Sequence, residues 1–119
     1  MAIPTYAVTP FQGISGQSIA IQAGAASAAV RVLPDMNPNA NPALRQLRIA
    51  NLSTTDTAYL AWGTDNSVAV AIPVAGGAVG GMAIPANDVE VITIGAAAWL
   101  ATITSGAAVV LNVTPGGGV

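Results

Sequence analysis

The chain has no cysteine, no histidine and no lysine; its cations are Arg31, Arg45 and Arg48. Each absence removes a class of chemistry. Without cysteine there is no disulfide and no thiolate nucleophile, and redox compartment is left open. Without histidine the commonest general base and the commonest metal ligand are missing, so Ser-His-Asp and Cys-His arrangements are ruled out. Three cations in a chain of formal net charge −2 cannot neutralise the run of phosphates that nucleic-acid binding requires, and an anionic membrane surface is equally unsuited. Charged residues make up only 7% of the 119 residues, where an ordinary soluble domain carries about a quarter.

What is abundant is apolar and small: 53% of the residues are hydrophobic and 13 are glycine. High hydrophobicity with low net charge is the reverse of a disordered composition. The charge-free stretch 91–119 is broken by Gly95, Gly106, Pro115 and the glycines at 116–118, and so falls short of the ~20 unbroken apolar residues of a spanning helix. The opening Met1-Ala2-Ile3-Pro4 lacks the basic and apolar regions of a secretory leader, which points to synthesis in a cytoplasm. The length suits one domain.

Hydrophobic alternation sets the fold class. Short alternating or β-branched segments recur at 18–22, 28–33, 44–52, 57–62, 67–72, 79–84, 89–94, 99–103 and 108–113. Gly, Pro, Asn, Asp and Ser punctuate them. That rhythm predicts an all-β sandwich or small barrel of about eight short strands. Residues 24–30 and 42–49 have some helical character, but the β-branched residues that follow favour strand. The predicted organisation is an extended N-terminal arm over 1–17, a sandwich over 18–114 and a Gly-rich tail over 115–119. In 89–94, Val89, Val91 and Thr93 share one face while Glu90, Ile92 and Ile94 share the other. Neither is a clean solvent face, so a loop, the arm or a partner is expected to cover one of them.

Few residues are candidates for chemistry. Asp88 and Glu90, two apart on a strand, share a face and resemble in spacing a glycosidase carboxylate pair, although Asn87-Asp88 after Pro85 also reads as an ordinary turn. Asp35-Met36-Asn37-Pro38-Asn39 opens like a calcium loop, but Ala40 stands where glycine belongs and Gln46 where a bidentate glutamate belongs. Asn51-Leu52-Ser53 and Asn112-Val113-Thr114 are formal glycosylation sequons. The glycine pairs at 76–77 and 80–81 lack the lysine of a phosphate loop. No cofactor is implied. Tyr59, Trp62 and Trp99 are candidate anchors for a partner or a sugar ring, and Tyr6, Phe11 and Ile14 make the arm too apolar to be an idle tail.

The order of Leu47-Arg48-Ile49-Ala50-Asn51, Ala58-Tyr59-Leu60-Ala61-Trp62-Gly63, Ile84-Pro85-Ala86-Asn87-Asp88-Val89-Glu90-Val91 and Ile94-Gly95 resembles small accessory virion proteins of tailed bacteriophages, of the capsid decoration or cement type. The likeness spans about residues 47–119 and leaves the first third unmatched. It implies a jelly-roll-like sandwich that clamps neighbouring major capsid subunits, self-associates as a dimer or trimer, and has no catalytic residues. It further implies a place on the capsid surface of a virion assembled in the host cytoplasm. A tail or receptor-facing module that binds glycan through Tyr59, Trp62 and Trp99 is the alternative. A carboxylate glycosidase is the third.

Overall fold

The structure is a computed structural model that describes residues 12–32 and 45–117. Among them every regular element is a strand: β1 (Gln12–Gly13), β2 (Ile19–Ala23), β3 (Ala28–Arg31), β4 (Arg45–Asn51), β5 (Ala58–Gly63), β6 (Met82–Ile84), β7 (Val89–Thr93), β8 (Trp99–Thr104) and β9 (Val109–Gly117). The strands form two antiparallel sheets. The first runs β7-β4-β9, with β1 and β2 in succession along the far side of β9; the second runs β3-β8-β5-β6. The all-β expectation is met, and the alanine-rich stretch 24–30 is a short connection over 24–27 followed by the start of β3.

The pairing has a simple logic. The contacts β2·β9, β3·β8, β4·β7 and β5·β6 fold the chain back on itself as one long two-stranded ribbon. Rolling that ribbon up adds β4·β9 and β5·β8, which complete the two sheets. The core lies between them. Ile21, Leu47, Ile49, Ile92, Leu111 and Val113 from the first sheet meet Ala58, Leu60, Ile84 and Leu100 from the second. Strand alternation does this work, since residues two apart point the same way. In β4, Leu47 and Ile49 are buried while Gln46 and Arg48 are half-buried on the outside.

The boundaries differ from the sequence expectation in several places, and of 79–84 only Met82–Ile84 is strand. Residues 67–72 were expected as a strand but pair with no other strand among the described residues. Val68 and Val70 alternate as strand residues do, yet they lie against the sheet and not in it. Val70 is buried, its N–H donates to Ser27 Oγ at 3.0 Å, and its side chain packs where a Cβ on Gly81 would sit. The next part doubles back, with Gly81 N–H donating to Ala71 O at 2.8 Å and Val74 N–H to Ala78 O at 3.2 Å. Gly76, at φ 72°, makes the turn, a left-handed position that suits glycine.

At the chain ends the sheet reaches further than 18–114. Gln12 and Gly13 pair with Gly117 and Gly116, and Ile14 N–H donates to Pro115 O at 2.9 Å. The glycines expected to begin a tail therefore end β9 instead, paired with β1 on one side and β4 on the other.

Candidate interaction surfaces

The aromatic candidates are distributed by strand parity and register. Tyr59 is paired with Ile103 and Trp99 with Gly63, on the face of the second sheet that points away from the core. Ala61 and Ala101 lie between them in the same ladder. Trp62 faces the other way, in register with Leu100, at the end of β5 where the core runs out, and 37% of its surface is exposed. Tyr59, Trp62 and Trp99 do not combine into one stacking platform. Ile14 is half-buried beside Pro115. Tyr6 and Phe11 lie outside the described residues, as does most of the calcium-like loop from Asp35.

Trp62 does line an open groove of about 270 Å³, together with Leu60, Ala61, Gly80, Gly81 and Met82. The groove exists because β6 and the doubled-back segment 71–81 approach β5 closely. A Cβ on Gly81 would stand 2.7 Å from the Leu60 carbonyl oxygen, and one on Gly80 would collide with Ala71 O and Pro73 N. Small-molecule sites usually enclose ~300–1,000 Å³. This groove is smaller and open, suited to one side chain or one ring laid against the indole.

The Asp88–Glu90 pair shares a face as its spacing suggests, close enough for Asp88 to act on the Glu90 carboxyl. Asp88 raises the Glu90 pKa above its ordinary value, first through hydrogen bonding between the side chains and then through its charge. Both residues sit at the solvent edge of the first sheet. Asp88 is held by a turn, its N–H donating to Pro85 O at 3.1 Å. Elevation by a neighbouring charge in open water differs from the buried, desolvated carboxyl of a general acid. Among the described residues no group of three or more His, Cys, Asp or Glu is placed to hold a metal ion.

Asn51 has a structural role that its sequon conceals. It is 3% exposed; its Nδ2 donates to Asp56 O at 3.0 Å and to Ile84 O at 2.9 Å, and its Oδ1 accepts from Ser53 N–H at 2.9 Å. The side chain ties the loop after β4 to the end of β6 and is inaccessible to a glycosyl donor. Asn112 is half-buried in the middle of β9, in register with Ala20 and Ala50.

Surface apolarity is the feature that sequence reading placed least well. Val79 is 92% exposed and Val74 is also exposed, both on the segment 71–81. On the outer side of the first sheet Val89, Val91 and Val110 are exposed, with Leu52 just beyond β4. Their sequence signal was the alternation in 89–94, whose Val-Val-Thr face is the uncovered one. Ile92 and Ile94 take the core side. No protein-family model matches this chain, and no curated protein matches it significantly.

Proposed function

We propose that the chain is a structural virion protein of the capsid decoration or cement type, which bridges major capsid subunits at the virion surface and associates with its own copies. The observation that carries this reading is the set of exposed aliphatic side chains, Leu52, Val74, Val79, Val89, Val91 and Val110, on a chain with 7% charged residues. Exposed apolar side chains gathered in groups mark partner sites; here Val74 and Val79 share the segment 71–81, and Val89, Val91 and Val110 share the outer side of the first sheet. The strand order supports the jelly-roll part of the reading: a ribbon of four successive antiparallel pairs rolled into two sheets is how a jelly roll is built. On this reading each copy contributes modest apolar contacts that add up over a shell.

The test is direct. Purified protein added to undecorated phage heads should co-sediment with them and raise their resistance to heat, and Val74→Asp with Val79→Asp should weaken both effects. Heads that take up no protein at any concentration would reject the proposal. A glycan-binding tail module is the second reading, favoured by Trp62 lying exposed along the groove. A glycan array that gives a signal with the wild type and loses it with Trp62→Ala would favour that module.

A further inference from the structure

β7 is the last strand on one side of the first sheet; among the described residues none pairs with its outer edge. Its hydrogen-bond phase can be read from its two ends. Asn51 N–H donates to Asp88 O at 2.9 Å, and Ile94 N–H donates to Arg45 O at 3.0 Å. These two pairs continue the register Ile49↔Glu90 and Leu47↔Ile92. In an antiparallel ladder, hydrogen-bonded and non-bonded pairs alternate. Residues 88, 90, 92 and 94 therefore spend their main-chain groups on β4, while Val89, Val91 and Thr93 direct theirs outward.

This edge has little of the usual protection. Charged side chains, proline and bulges are the common means of blunting an exposed strand; Val89-Glu90-Val91-Ile92-Thr93 carries one charge, Glu90, has no proline and no lysine, and pairs with β4 residue for residue. Its side chains beside the outward groups are apolar, with Val89 and Val91 each 44% exposed. The strand also complements itself. A twofold axis through Val91 sets Val91 against its own counterpart and Val89 against Thr93, so that every outward N–H meets an outward C=O. The same axis sets Glu90 opposite Ile92, which keeps the two glutamates out of direct opposition.

We propose that β7 pairs antiparallel with β7 of a second copy of this chain about a twofold axis at Val91, joining two first sheets into one continuous sheet. The inference rests on the self-association in the reading above and on nothing about the capsid. The opposed pairs Val91–Val91 and Val89–Thr93 each exchange two main-chain hydrogen bonds, while Glu90 and Ile92 form the non-bonded pairs between them, and the exposed Val-Val-Thr rows of the two copies become neighbours across the joint. Strand addition of this kind draws affinity from the main chain and specificity from the alternate side chains.

The test uses the full chain in sedimentation equilibrium at neutral pH and physiological salt, up to hundreds of micromolar. The wild type should be in concentration-dependent monomer–dimer exchange. Val91→Pro removes an N–H that β4 does not use, and should weaken dimerisation by roughly tenfold or more. Ala20→Lys, exposed on the same sheet face but on β2, at the far side of the sheet from β7, should leave it unchanged. If Val91→Pro loses cooperative unfolding, Val91→Lys replaces it with the same expectation. A wild type that stays monomeric throughout, or a folded Val91 variant that dimerises as tightly as the wild type, overturns the proposal. Loss of dimer in Ala20→Lys alone also overturns it, by moving the contact to the sheet face. Binding of the dimer-deficient variant to phage heads, measured separately, keeps failure of this joint distinct from failure of the virion role.

Discussion

Thr102 lies on the core side of β8, wholly buried, and its hydroxyl has no hydrogen-bond partner among the described residues. A buried hydroxyl without a partner costs free energy that a methyl group of the same shape does not. Thr102→Val is expected to raise stability by about 1 kcal/mol, measured as a shift in urea midpoint at constant slope. Asn51 is the opposite case. Its amide donates to two main-chain carbonyls and accepts from Ser53 N–H, so Asn51→Ala should cost roughly 2–4 kcal/mol through the bonds lost and the buried groups left behind. Gly81→Ala forces a methyl into the Leu60 main chain and Val70. It should cost on the order of 1–3 kcal/mol through overpacking, and it should perturb Trp62 fluorescence because the same groove is displaced.

Two carboxylates titrate in opposite directions, and their elements explain why. Asp65 sits in the turn after β5, accepting a side-chain hydrogen bond and then a main-chain one from Ser67, which lower its pKa. A lowered folded-state pKa contributes stability above the unfolded pKa and loses it as pH falls through the folded value. Glu90 is raised by Asp88. Its carboxyl therefore disfavours the fold as pH rises from the unfolded pKa through the folded one. Carbon-detected NMR titration should show Ser67→Ala bringing Asp65 up towards ordinary behaviour and Asp88→Asn bringing Glu90 down. An unmoved midpoint in either variant would refute the corresponding cause.

At this scale the sequence was also most readable, and its misreadings share a cause. Alternation located β2, β4, β5, β7, β8 and most of β9, because burying Ile21, Leu47, Leu60, Ile92, Leu100 and Leu111 on one side requires a two-residue period. Alternation also marked 67–72, where Val68 and Val70 are used to cover a sheet. The pattern reports an extended segment with one buried side and is silent on whether another strand lies beside it. Faces were legible for the same reason: Leu60 and Trp62 together, Tyr59 and Ala61 together. Register was not. That Trp99 falls opposite Gly63, and that Asn51 reaches Ile84, depend on pairings between distant parts of the chain.

For the molecule as a whole, the rolled ribbon means that its outer pairs join residues far apart in the chain, Ile19 with Val113 and Ala28 with Thr102. Loop closure must precede such contacts, so folding is expected on the millisecond-to-second scale typical of non-local β topologies. Stopped-flow fluorescence of Trp62 and Trp99 should report it, and submillisecond folding would contradict the topology argument. Core truncation should be felt throughout. Leu111 is buried on β9, between β2 and β4, and Leu111→Ala should cost ~2–5 kcal/mol.

The pairing of β1 and β2 with β9 also determines how the fold bears tension. Gln12 stands beside Gly117 and Ile19 beside Val113, so both ends of the ladder leave from the same place and run away from it together. A pull applied between residues 12 and 117 would peel this ladder open one rung at a time, like a zip fastener, and would never load the rungs together in shear. The molecule is thus a poor tether when strung by its two ends. It bears load well only when gripped across its faces and edges, where force crosses many side chains at once.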